Sequence, residues 1–281
     1  MATLDLHTLT VPVGVVRILE VLLSCVSFSV VASAGHDHSS YWAWCMFSWC
    51  FCCFTTLLIL VLELTRLSGK LPLSWDDFTT AFAMLATLMV LAASVIYPRF
   101  FAHGGPRPIA ATVMSWLCFA AYAAEVGLTR ARPGEVSGFL STVPGLLKVL
   151  EAFVACIIFI SLESGCYASH DGLEWCVAVY SLCFIFALLI ILLTIGRLLP
   201  LFPFSFEKVL TGYNVLAVLM YMTAVVVWPL YAFDGRPNQC NNPAIRDSLV
   251  VVSFMTCVNL VVYIVDTVYS VRLVFFTTVP A

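Results

Sequence analysis

Charge is what this chain has least of. Asp, Glu, Lys and Arg make up 10% of its 281 residues, against 62% hydrophobic, where soluble domains carry about 25% charged residues. It has no long basic or acidic run, and its formal net charge is −3. Neither a nucleic-acid groove nor a polybasic lipid patch is indicated, so no nucleic-acid partner is expected. Long polar stretches are missing too. Every segment between apolar runs is short, and chains below about 40 residues seldom fold alone. No His, Asp and Glu set sits deep in an apolar run, which leaves an intramembrane enzyme with the least support. The expectation is a protein without catalytic residues, cofactor or metal.

What fills the sequence is apolar, with a mean hydropathy of +1.03. A membrane span needs about 20 mostly apolar residues to cross roughly 30 Å of hydrocarbon. Eight such stretches fit, at residues 13–34, 44–64, 78–98, 109–129, 146–162, 175–195, 209–229 and 247–268. Backbone groups in lipid must be bonded within the segment, so each is predicted to be a helix. A β-barrel would need shorter alternating strands, which these continuous runs do not resemble. Ala32-Ser33-Ala34 looks like a signal-peptidase site after an apolar run. Glu20 within that run, and the lack of a basic start before Arg17, argue that the segment is retained.

The chain also repeats itself. Shifting Gly14–Pro98 by 131 residues lays it on Gly145–Pro229 without a gap, and about 25 of the 85 positions are identical. The matches include polar and rare residues: Glu20/Glu151, Cys25/Cys156, Trp44/Trp175, Cys45/Cys176, Arg66/Arg197 and Pro98/Pro229. Shared apolar composition would not align these. The predicted fold class is therefore an all-α integral membrane protein, eight transmembrane helices as two tandem parallel four-helix bundles. The expected organisation is a short cytoplasmic N-terminus at 1–12, a first bundle at 13–132 and a linker at 133–145. A second bundle follows at 146–273, with a C-terminus at 274–281.

An even number of spans per copy puts both termini on one side. Nine Lys and Arg residues fall on that face and four on the other, so the positive-inside rule predicts cytoplasmic termini. Arg17 and Glu20, Glu63 and Arg66, and Lys148 and Glu151 are each three apart. That spacing makes neighbours on a helix. Glu125 with Arg130, and Asp266 with Arg272, lie near the inner ends of the fourth and eighth spans. One reading is a proton or ion relay, because intramembrane charge is costly and often functional. The preferred one is structural: pairs at the inner interface fix helix rotation and depth, with the bases snorkelling. No acid or base falls at the midplane, where transporters place their sites. Asn214 and Asn259 are expected to make interhelical hydrogen bonds.

Cys50, Cys52 and Cys53 point in different directions on a helix and read as packing residues rather than metal ligands. Cys166, Cys176 and Cys240 lie in or beside outer loops, where one disulfide among them is plausible without a readable pairing. His36, His38, His103 and His170 read as exposed loop residues. Thr79, Ala83 and Thr87, with Ala120/Ala124 and Ala123/Gly127, form small-residue ladders expected to pack within the chain. Tyr41, Trp42, Trp44, Trp75, Tyr97, Trp175, Phe206, Trp228 and Tyr231 read as an interfacial belt. Pro98 and Pro229 are expected to close their helices.

Several segments resemble a known family. They include Leu73-Ser74-Trp75 followed by Phe78, the run Phe82-Ala83-Met84-Leu85-Ala86-Thr87-Leu88, and Thr129-Arg130-Ala131-Arg132-Pro133-Gly134-Glu135. Gly145-Leu146-Leu147-Lys148, Phe153-Val154-Ala155-Cys156-Ile157-Ile158-Phe159 and Trp175-Cys176-Val177-Ala178-Val179-Tyr180 belong to the same set. Together they resemble the myeloid-associated differentiation marker family, most closely its "like" members, over nearly the whole chain. The resemblance implies two tandem MARVEL domains, each a four-helix membrane bundle, linked to membrane apposition, vesicle traffic and cholesterol-rich domains. It carries no catalytic motif. The expected function is a non-enzymatic organiser of membrane domains at the plasma membrane or associated vesicles. Its expected partners are membrane lipids, other membrane proteins and further copies of itself. The alternative is a channel or carrier with a pathway between the repeats.

Overall fold

The computed structural model describes residues 10–35, 37, 39–101, 105–130, 142–162, 170–198, 206–233 and 243–276. Regular structure among them is helical: α1 (Pro12–Ala34), α2 (Ser40–Leu64), α3 (Trp75–Phe101) and α4 (Pro106–Arg130) are followed by α5 (Val143–Ser161), α6 (Asp171–Ile195), α7 (Phe206–Ala232) and α8 (Pro243–Phe276). A single 3-10 turn, Ser68–Lys70, lies between α2 and α3. All eight helices are long and apolar enough to cross a membrane, the last over Ile245–Arg272. At 1.5 Å per residue, a helix the length of α2 reaches about 38 Å, enough to span with some tilt.

Several helices begin before their apolar runs do, because hydropathy does not register polar first turns. Ser39 accepts a hydrogen bond from the Trp42 amide at 3.1 Å and starts α2 at Ser40. Asp76 and Asp77 sit in the first turn of α3, where the helix dipole favours negative charge, and Ser74 Oγ bonds Asp77 at 2.7 Å. Thr142 caps α5, accepting from the Gly145 amide at 3.4 Å. The other ends differ from expectation as well. Pro98 and Pro229 do not close their helices; α3 and α7 continue to Phe101 and Ala232. Each proline forgoes one ladder bond, a cost the last turn absorbs while the helix runs on.

The chain divides into two compact units, Met1–Ser141 and Thr142–Ala281. Within the first, α1 packs on α2 and α4, and α3 on the same two helices, closing a ring of four. Within the second, α5 and α7 each pack on α6 and α8, reproducing that ring. The copies agree even at a strained detail. α2 and α6 both end with an arginine in the left-handed region, Arg66 at φ 55° and Arg197 at φ 53°. In each, the following amide closes back over the last turn, Leu67 N to Leu62 O and Leu198 N to Leu193 O, both at 3.0 Å. Glycine usually takes this position.

Both bundles are polar inside and apolar outside, as lipid requires. Phe54, Leu192 and Phe254 face outward at 63–67% exposure, while Glu20, Lys148, Asn214 and Asp266 are sealed inside. Tyr97 and Trp228, at matched positions, also turn inward and belong to the cores rather than an interfacial belt. Ala120, Ala124 and Gly127 stand on the exposed side of α4 and Ala123 is only half-buried, so these ladders do not lie in the core of their bundle. A Cβ added at Gly127 would meet open space. Ala83 is buried at the α3–α4 contact, beside a crevice of about 10 Å³ lined by Thr80, Met84, Val126, Thr129 and Arg130.

Candidate functional site

The polar chemistry collects in the half of each bundle that holds the N-terminal part of its first helix. In the first unit Arg17 of α1 is 6% exposed. Its Nε donates to Glu125 Oε1 of α4 at 2.5 Å and its Nη1 to Glu63 Oε2 of α2 at 2.6 Å. Glu63 also accepts from Trp75 Nε1 at 3.0 Å, which ties the start of α3 to the same point. One planar guanidinium thus holds three helices, as its fixed fork of donors allows. Glu20, one turn further along α1, is fully buried. Neither of its oxygens has a partner in hydrogen-bond geometry, although Arg17 and Glu125 are its charged neighbours.

In the second unit the base is Lys148 of α5, with no solvent exposure. Its Nζ lies 2.7 Å from Glu151 Oε2, 2.8 Å from Asp266 Oδ2 of α8 and 2.6 Å from Asn214 Oδ1 of α7. Asn214 Nδ2 in turn donates to Asp266 at 2.9 Å and to Ser270 Oγ at 3.1 Å. The rings of Tyr213 and Tyr263 flank the ammonium, with centroids 4.9 and 5.1 Å away. Their hydroxyls meet at 3.1 Å, and Tyr213 donates to the Cys183 carbonyl at 2.9 Å. The ammonium donates to two oxygens and makes an ion pair with a third inside an aromatic cage.

Sequence spacing located the bases but not all their partners. The i,i+3 pair forms in α5, between Lys148 and Glu151. In α1, Arg17 reaches across the bundle instead of joining Glu20. Glu63 turns to Arg17 and Trp75. Glu125 and Asp266 face inward to the bases of α1 and α5. Both bases are buried in their bundles and do not extend to the surface, each reaching a carboxylate on a neighbouring helix. Arg66 sits at the αL turn after α2. The signal that would have exposed Glu125 and Asp266 is a second offset. With 141 residues instead of 131, Ser115, Tyr122 and Glu125 fall on Thr256, Tyr263 and Asp266. A longer loop before α8 hides this from an ungapped comparison.

Beyond the charges, both bundles tie the second helix to the fourth. Trp49 Nε1 donates to Ser115 Oγ at 3.0 Å, and Ser115 meets Ser94 at 2.7 Å. At the matched positions the Tyr180 and Thr256 hydroxyls are 2.8 Å apart. Asn259 Nδ2 donates to Tyr221 at 2.7 Å. The Cys45 and Cys176 thiols point to the carbonyls of Ala93 and Ala224 at 4.0 and 3.9 Å, another matched pair. Cys176 is thus a buried free thiol. Cys166 and Cys240, like His36, His38 and His103, lie outside the described residues. Cys50 is exposed, Cys52 buried, and Cys53 Sγ is 3.6 Å from the Val21 carbonyl of α1. Among the described residues no group of three or more His, Cys, Asp or Glu side chains is arranged to hold a metal ion.

A chain whose two halves are each a lipid-facing ring of four helices around a sealed charge cluster defines a multi-pass membrane protein built by duplication. The MARVEL membrane-associating domain matches it twice, over residues 9–128 and 139–269. The chain belongs to the myeloid-associated differentiation marker family of tandem MARVEL proteins. It is 46% identical to the human myeloid-associated differentiation marker, over 96% of this chain and 90% of that one. It is 44% identical to the Xenopus laevis homolog, over 96% and 95%. With human myeloid-associated differentiation marker-like protein 2 the identity is 42%, over 98% and 95%. No solved structure matches it.

Proposed function

We propose that this protein is a non-enzymatic organiser of membrane domains, working through lateral contacts of its helices with lipids and with other membrane spans. The supporting observation is the division of labour in each bundle. Charged and polar side chains gather inside, while the outward faces present apolar side chains such as Leu192, Phe254 and Val261. Such a surface interacts through shape and chain packing with its neighbours. Ala120, Ala124 and Gly127 add a flat strip on the outside of α4 where another span could approach closely. Membership in a membrane-associating family supports the same reading. The proposed setting is the plasma membrane or vesicles derived from it, with both termini cytoplasmic.

The test is to express the tagged chain, measure its partitioning into ordered, detergent-resistant membrane and label its neighbours by proximity. Enrichment in ordered membrane with a reproducible set of membrane-protein neighbours is expected. Even partitioning with no enriched neighbours would refute the reading.

A further inference from the structure

Each bundle encloses more acid than base. In the second, one ammonium, Lys148, faces two carboxyl groups, Glu151 and Asp266, and all three are within 1% of complete burial. In the first, Arg17 is already held by Glu63 and Glu125, and Glu20 brings a third carboxyl that is fully buried. Neither Glu20 oxygen, nor Glu151 Oε1, nor Asp266 Oδ1 receives an N–H or hydroxyl donor; Glu20 has the Glu125 carboxyl beside it and Glu151 that of Asp266, contacts that only a proton between the two carboxyls turns into a hydrogen bond. An ionised carboxylate without a partner is among the costliest groups to bury, and it becomes tolerable by neutralisation. Glu20 and Glu151 occupy the same position in the two copies, although the residues around them differ. The excess of acid is therefore a shared property of the duplicated unit.

We propose that each bundle binds one proton, carried by Glu20 in the first and by Glu151 in the second. The hydrogen bonds select these two carboxyls from their neighbours. Glu63 and Glu125 each accept a guanidinium N–H, a charge-assisted contact that Glu20 does not make. Asp266 Oδ2 has both the Lys148 ammonium and the Asn214 amide as N–H neighbours, whereas the Lys148 ammonium is the one N–H donor at Glu151 Oε2. Glu20 is approached by Arg17 from its own helix, by Cys52 from α2, and by Glu125, Cys118 and Tyr122 from α4, while Glu63 of α2 pairs with Arg17. Glu151 is approached by Lys148 from its own helix, Cys183 from α6, Tyr213 from α7, and Asp266 and Tyr263 from α8. In each set one base serves at least two acids. The ligand is a proton rather than a metal ion, because no set of three His, Cys, Asp or Glu ligands converges here. A proton needs no cavity.

Infrared spectroscopy of the full-length protein in an alkyl maltoside detergent, which has no carbonyl of its own, tests this, because a protonated carboxylic acid has a carbonyl stretch that a carboxylate lacks. At neutral pH the wild type is expected to show that band. Glu20→Gln and Glu151→Gln should each remove part of it, and the double variant should lose it. Glu207→Gln, at an exposed site, should leave it intact. The amide resembles the protonated acid in shape and charge, so Glu20→Gln should retain the wild-type unfolding temperature. Absence of the band in the wild type, or its survival in the double variant, overturns the proposal. So does a wild type that lacks the band but is stabilised by sodium at fixed pH, since the missing charge would then be a metal cation. The wild-type spectrum decides the first and third outcomes even if a variant fails to fold.

Discussion

The two bundles hold a buried base at the same place by different means. Arg17 uses a rigid fork to join α1, α2 and α4, and one of its acids, Glu63, keeps 19% of its side-chain exposure. Lys148 is a point charge in a closed cage, with Glu151, Asp266, Asn214 and two tyrosine rings around it. The partners have changed along with the base. Glu63 is matched by Thr194, Ala83 by Asn214 and Phe82 by Tyr213. Where the second helix offers an acid, arginine reaches it; where the third helix offers an amide and a phenol, lysine suffices. Duplication thus preserved the burial of one cation beside surplus acid, not a particular set of contacts.

The largest expected difference follows from removing the base. Lys148→Ala leaves two buried carboxyls facing each other without a cation, and should destabilise the protein by about 3–5 kcal/mol. Arg17→Ala should cost less, because Glu63 can turn to water. Thermal unfolding of both variants in the same detergent checks this, and equal losses would erase the distinction between fork and cage. Exchanging the bases comes next. Arg17→Lys can satisfy one acid but not span to both, and Lys148→Arg overfills the cage, so each should lose about 1–3 kcal/mol. A neutral exchange would mean that charge matters here and geometry does not.

Asn214→Ala copies the first bundle's Ala83 into the second. It strips an acceptor from Lys148 and a donor from Asp266, at an expected loss of about 1–3 kcal/mol in the same melts. Trp49→Phe and Tyr180→Phe remove the matched ties between second and fourth helices, and each should cost about 1 kcal/mol. The smallest effect has the opposite sign. Arg197→Gly relieves the left-handed strain after α6 and should raise stability by up to about 1 kcal/mol. A loss there would show that the arginine side chain contributes more than its backbone strain takes away.

Helices were the easiest part of the fold to read, because lipid forces every long apolar run to bond its own backbone. Their ends were harder. Ser39, Asp76 and Asp77 extend helices through polar turns that hydropathy does not register, and Pro98 and Pro229 stop nothing. For the site, Arg17, Glu20, Lys148 and Glu151 stood out as rare charges at repeated positions. Their partners Glu125 and Asp266 were visible as residues but assigned to nearby bases, since sequence distance favours the neighbour along the helix over the one across the bundle. Ala120, Ala124 and Gly127 show the same blindness: spacing identifies a small-residue face without saying which way it points.

Composition and the 131-residue repeat by themselves determined that this is a duplicated, eight-helix membrane protein, because continuous apolar runs of this length bond their own backbone in lipid as helices, not as the short alternating strands of a barrel. Tertiary packing alone decided which acid meets which base. Helix rotation and ring order bring Glu63 and Glu125 to Arg17, and Asn214 and Asp266 to Lys148, across 46 to 118 residues of chain. Electrostatic pairing depends on distance in space, and that distance exists only once the four helices have closed.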